Sequence, residues 1–154
     1  TLETLWEQSR HALTTGGVVL AQEYVGPDRF QWTDTQIAAC DHALATLVGE
    51  EHKTDHHQVQ RTSVEDMIAA DPSEAVRSSE ILSTCTEAGF TIQSYNSAGG
   101  ALLQPVLMYQ IHTFDPQNWQ HNRTLANLFA EEDRLMAEGT LQDDFAMFVA
   151  QPPA

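Results

Sequence analysis

The chain has 154 residues, 42% of them hydrophobic, which is enough for a single domain, residues 1–154, with a core of its own. Its 22 acidic against 7 basic residues leave a formal net charge of -15, a surface that repels phosphate backbones and anionic lipid heads and argues against nucleic-acid and membrane partners. No apolar run of about 18 residues and no leader pattern occurs, so the expectation is a soluble, cytoplasmic protein in which the isolated Cys40 and Cys85 are reduced, buried thiols.

Leu2, Leu5, Trp6, Ser9 and Leu13 share one helical face, with Glu3, Glu7 and Arg10 off it, which predicts a helix over 2–13. Gly16 or Gly17 ends it. The continuous apolar run 18–21 predicts a strand covered on both faces, which finishes in Glu23 and Tyr24 before the turn Gly26-Pro27-Asp28. Thr33 and Gln36 form a capping box for a helix whose inner face carries Ile37, Cys40, Leu44 and Leu47 and which ends near Gly49. Residues 50–60 are polar and histidine-rich and read as loop. Ser63 caps a short helix containing Met67 and Ile68. Asp71, Pro72 and Glu74 are spaced as cap, first helical position and first-turn acid, so helix is expected from there to Gly89, with a break near Ser78.

Residues 90–95 alternate apolar and polar as a half-buried strand does. Gly99-Gly100 precedes an apolar helix over 101–113 that contains Pro105. A long amphipathic helix over 119–138 places Leu125, Leu128, Phe129, Leu135 and Met136 inside, and its acidic run Glu131-Glu132-Asp133 reads as a solvated face. The last strand is 145–150, stopped by Pro152-Pro153. The order is helix, strand, helices, strand, helices, terminal strand, which fits part of an α/β sheet. Three strands alone make a narrow sheet whose edges invite pairing with another chain.

The segment 13–26, in which a helix stops at a glycine pair and a hydrophobic strand ends in Glu23-Tyr24, resembles the "helix, L-x-P-G-G, strand" passage of class I S-adenosylmethionine-dependent methyltransferases. Leu5, Arg10, Leu13, Gly16 and Gly17 look like that family's fourth helix and the start of its fifth strand. Ala88-Gly89-Phe90-Thr91-Ile92 looks like the lead-in to the sixth strand, and 144–150 looks like the seventh, which in the family runs antiparallel between the fifth and sixth. The segments 23–27 and 71–78 are similar to a bacterial small-molecule or sugar-modifying subgroup.

The resemblance implies the C-terminal part of a Rossmann-like methyltransferase sheet, supplying the substrate-side half of an enzyme that takes S-adenosylmethionine as cofactor and a small molecule or sugar as methyl acceptor. The family's glycine-rich loop and its ribose-binding acid have no counterpart here, so no cofactor-binding residues carry over. Gly99-Gly100 is no substitute, because it follows what would be the sixth strand.

Glu23 stands at the carboxyl end of a strand, the edge where open α/β sheets bind ligands, and is the candidate catalytic residue: it can hydrogen-bond a substrate hydroxyl or act as a weak general base. Tyr24, Arg29 and Trp32 follow in the connection on the substrate side, where an arginine beside aromatics suits an anionic or sugar-like ligand. Arg77 is spaced for an ion pair with Glu80 or for closing over a substrate. Gln104, Tyr109 and His112 lie on the apolar helix after the glycine pair, placed either to project into a pocket or to be satisfied within the core.

His52, His56 and His57 with Asp55 can bind zinc or nickel in principle, but adjacent side chains of an extended segment point apart, so no metal ligands are assigned. Two further readings of the chain stand beside the enzyme: a truncated, non-catalytic module that dimerises through strand edges, and a metal-binding module built on the 52–57 loop.

Overall fold

Apolar periodicity and caps favour helices, and the computed structural model, which describes residues 1–55 and 58–153, holds six α-helices and one three-stranded antiparallel sheet among those residues. The helices are α1 (Leu2–Ala12), α2 (Asp34–Thr46), α3 (Val64–Ala70), α4 (Ile81–Glu87), α5 (Leu103–Leu107) and α6 (Trp119–Ala137). The strands are β1 (Val19–Tyr24), β2 (Thr91–Ser97) and β3 (Phe145–Gln151). No helix among the described residues is long and apolar enough to cross a membrane. Two compact units result, one of Thr1–Phe30, Val64–Ala98 and Asp144–Ala154, the other of Gln31–Ser63 and Gly99–Asp143.

The first unit holds the sheet, in the order β1-β3-β2. β3 is antiparallel to both neighbours, so β1 and β2 run in the same direction and their carboxyl ends share one edge. Alternation on β3 sends Ala146, Phe148 and Ala150 to one face, where they join Trp6, Cys85 and Phe90 in the core, with Val19, Ala21 and Ile92 packed against them. Trp6 is the centre of this core, its ring 5.6 Å from Phe90 and its indole N–H donating to Thr84 Oγ1 at 3.2 Å. Burial of an aromatic with its polar tip satisfied is among the largest single contributions a small core receives.

The expectation of a strand covered on both faces does not hold for β1. Leu20 is 70% exposed and Val18 is also exposed, because only the Val19 and Ala21 side of the strand meets the core. Leu5, expected inside, is exposed on α1 as well. β2 alternates less cleanly than its sequence, since a bulge between Ile92 and Ser94 resets the pattern and leaves most of the strand exposed.

Helix expected from Asp71 begins only with a 3-10 turn at Ser78–Glu80 that leads into α4. Two things hold the intervening segment out of helix. Asp71 Oδ1 accepts from the amide and hydroxyl of Ser73, an Asx turn. Arg29 then takes the carbonyls of Asp71, Pro72 and Glu74, the groups a first helical turn would use.

The second unit is helical. Thr33 caps α2 as expected, accepting from the Gln36 amide at 3.1 Å, but the Gln36 carboxamide donates to Ala101 O instead of completing the box. Cys40, Leu44, Leu102, Val106 and Leu128 are fully buried. Both cysteines are buried and neither is in a disulfide. The helix expected over 101–113 is split into α5 and a 3-10 turn at Ile111–Thr113. Phe129, expected inside α6, is exposed, while Glu132, expected outside, is buried. The reason lies opposite: the Glu132 carboxylate accepts from the amides of Gly100, Leu102 and Leu103 at 2.8 to 2.9 Å, satisfying donors that nothing else in the turn reaches.

Candidate functional site

Glu23 and Tyr24 close β1 at the sheet edge shared with the end of β2, and the chain then turns sharply. The chain passes closely there: a Cβ at Gly26 would lie 2.6 Å from Asp144 Oδ1 and from the Tyr24 hydroxyl, so a larger residue would displace one of those side chains. Tyr24 donates to Pro27 O, and its ring meets Phe30 and Phe145 edge-on at 4.7 and 5.4 Å. Asp28 Oδ1 accepts from the Ser79 amide, and Ser78 Oγ donates to Gly26 O, which fastens the exit of β1 to the start of α4.

Next in sequence, Arg29 adopts a positive φ of 54°, and its amide donates to Ala75 O at 2.6 Å. Its guanidinium reaches the three carbonyls already named, so residues 71–75 are held as a wall beside β1. Ala75 itself sits at φ 45°, a left-handed conformation that costs a non-glycine residue roughly 1–2 kcal/mol.

Behind this wall is a cavity of about 450 Å³ whose lining includes the apolar Leu2, Val76 and Ile81 and the polar Thr1, Glu23, Tyr24, Glu74 and Arg77. That volume is in the range of small-molecule sites. Among the described residues Arg77 is the one basic side chain lining it, and it is already paired: its fork donates to both Glu3 oxygens at 2.8 and 3.0 Å and to Glu80 Oε2 at 2.6 Å. Those bonds hold the Glu3 carboxyl down at about 2 and raise the guanidinium pKa further. Glu23 and Glu74 have no hydrogen bond or ion pair on their carboxylates among the described residues.

The sequence-derived candidates therefore divide. Glu23, Tyr24 and Arg77 come together at one cleft. Arg29 is absent from the lining and spends its guanidinium on the wall, which removes the cation on which an anionic-ligand reading depended. Trp32, Gln104, Tyr109 and His112 belong to the second unit. There Trp32 is buried, Tyr109 and His112 are exposed, and Gln104 is half-buried, its Oε1 without a hydrogen-bond partner among the described residues. Sequence reasoning passed over Glu74, whose position in a helix-start pattern gave it a structural role. The signal available was the carboxylate three residues before Arg77.

His52 is 1% exposed and stacks on Phe114 at 3.9 Å, with His121 edge-on at 4.3 Å. Thr113 gives its hydroxyl hydrogen to Gln110 O, so His52 Nδ1 must donate to Thr113 Oγ1 and the lone pair lies on Nε2. That nitrogen has no hydrogen-bond partner among the described residues. His121 Nδ1 accepts from the Asp115 amide, which puts its own proton on Nε2. Among the described residues no three metal-binding side chains converge, and His56 and His57 lie outside them.

No protein-family model matches the chain, and neither a curated protein nor a solved structure matches it.

Proposed function

We propose that this chain is the acceptor-side half of a class I S-adenosylmethionine-dependent methyltransferase, holding a small-molecule or sugar acceptor in the cleft at the end of β1. The observation that carries the reading is the place of the last strand: β3 lies between β1 and β2 and is antiparallel to both, as the resemblance expects of the family's seventh strand. The free outer edge of β1 and its exposed Leu20 agree with a sheet that continues beyond this chain.

The glycine-rich turn at 99–103 offers converging amides, but the buried Glu132 carboxylate takes them. The cofactor, where bound, supplies an electrophilic methyl group. This chain's contribution is the acceptor: Glu23 accepts a hydrogen bond from its hydroxyl or amine, and Tyr24 and Ile81 enclose its body. Such positioning is the larger part of catalysis in an in-line displacement.

The test uses the protein as its gene encodes it, with whatever precedes Thr1. Micromolar binding of S-adenosylhomocysteine and transfer of a labelled methyl group, reduced at least tenfold by Glu23→Gln, is the expected result. A natural protein that neither binds the homocysteine product nor transfers methyl overturns the reading.

A second reading draws on the same free edge: a non-catalytic module that pairs β1 with β1 of a second copy. Light scattering at micromolar concentration decides it, with a dimer dispersed by Leu20→Lys as the supporting outcome and a strict monomer as the opposing one.

A further inference from the structure

We propose that the cleft at the end of β1 selects a cationic ligand, an amine carried on a small apolar body, with Glu23 and Glu74 as its counter-charges. As a statement about the methyl acceptor this rests on the reading above. As a statement about binding it stands on the cavity alone.

The cavity has two kinds of wall. Leu2, Ile81, Val76 and the Tyr24 ring offer apolar contact to a body of a few carbon atoms. The lining also holds two carboxylates, Glu23 from the strand end and Glu74 from the loop that Arg29 holds in place, neither with a hydrogen bond or ion pair among the described residues. A carboxylate beside apolar surface, with no basic side chain paired to it, favours a ligand that brings a positive charge.

Arg77 does not reverse that preference. Its single charge is outnumbered by Glu3 and Glu80, which accept from its two terminal nitrogens at 2.6 to 3.0 Å. An anionic ligand would share the guanidinium with these two carboxylates and would also meet Glu23 and Glu74. The donors a sugar hydroxyl would seek are also committed, since Tyr24 donates to Pro27 O and Ser73 to Asp71. What the cleft offers a ligand is chiefly acceptors, and an ammonium group consists only of donors.

The experiment titrates the chain at neutral pH with benzylamine, benzyl alcohol and benzoate, three heads on one ring, and follows backbone amides by ¹H–¹⁵N correlation spectra. Benzylamine is expected to shift Glu23, Tyr24, Glu74 and Arg77 and to bind ~10-fold more tightly than the alcohol, with benzoate weakest. Glu23→Gln with Glu74→Gln, both exposed positions, should bring the amine down to the level of the alcohol. Glu7→Gln with Glu87→Gln, outside the cleft, should leave the preference intact.

Benzoate binding as well as the amine, a preference that survives the first double variant, shifts confined to other surfaces, or no binding by any of the three would each overturn the proposal. The two readings fail separately. Methyl transfer to an uncharged acceptor that the amine does not inhibit removes the cationic class and keeps the enzyme. Amine binding in a natural protein without methyl transfer keeps the site and removes the enzyme.

Discussion

At the scale of single residues, the second unit depends on a carboxylate that charge patterning places in water. Glu132 is 4% exposed and satisfies three amides of the 99–103 turn. Glu132→Ala strands those donors in a buried turn, where each unsatisfied group costs roughly 1–3 kcal/mol, so a loss of about 3 kcal/mol in urea unfolding is expected, with Glu132→Gln losing less. Gly99→Ala should act on the same contact, since its Cβ would lie 2.2 Å from Glu132 Oε1 at a φ of +66°. His52 gives the same unit a pH dependence. Burial, and then the charge of His121, depress its pKa, and the nearby Glu51 offsets this only in part. Below its ordinary value of about 6.5 the unfolded chain takes a proton that the folded chain refuses, so stability falls as pH drops through that value. The difference in urea midpoint between wild type and His52→Gln, taken at pH 7.5 and 5.5, should move against the wild type at the lower pH. An unchanged difference would mean His52 titrates as it does in water.

Among the elements, the segment 71–77 shows what a local reading can and cannot reach. Asp71, Pro72 and Glu74 satisfy every rule for a helix start, and the segment is nonetheless a wall, because Arg29 from some 40 positions earlier claims its carbonyls. Arg29→Ala should release it: faster amide exchange confined to 71–77, and a stability loss of about 1–2 kcal/mol. Arg29→Lys, lacking the fork, should recover only part of either effect. If exchange at 71–77 is unchanged, the wall stands without Arg29. The features that were legible are those fixed by near neighbours, such as the Thr33 cap three residues from its partner and the terminal strand β3, whereas α1 ends at Ala12 with an extended Leu13, ahead of the glycine pair expected to stop it. The site divides in the same way. Glu23 and Tyr24 follow from a strand end, and the Arg77–Glu80 pair follows from helical spacing. The enclosure that makes a cleft of them comes from Glu74 and Leu2, brought in by contacts no local pattern encodes. Leu5, Leu20 and Phe129 mark the converse limit, where periodicity names an apolar face and the fold leaves it uncovered.

For the molecule as a whole the dominant long-range quantity is charge, 22 acidic groups against 7 basic ones. Two of the few cations are spent twice, Arg77 on Glu3 and Glu80 and Arg134 on Glu131 and Glu138, so most carboxylates face other carboxylates across solvent. Two opposing effects of salt follow. It weakens these pairs, each worth at most about 1 kcal/mol at a surface, and it screens a repulsion that acts among all the excess carboxylates at once. Raising ionic strength from 0.01 to 0.1 M shortens the screening length from roughly 30 to about 10 Å, which removes the many long-range repulsions before it touches contacts near 3 Å. Repulsion should therefore be relieved first. Thermal unfolding in sodium chloride over that range is expected to show a midpoint several degrees higher, the equivalent of about 1 kcal/mol. Chloride is the salt to use, because sulfate would raise the midpoint by exclusion whatever the charge. A falling midpoint would mean that the paired arginines outweigh the unpaired acids. In that case the cleft carboxylates Glu23 and Glu74 would sit in a less negative field than the net charge implies, and the amine preference should shrink with it.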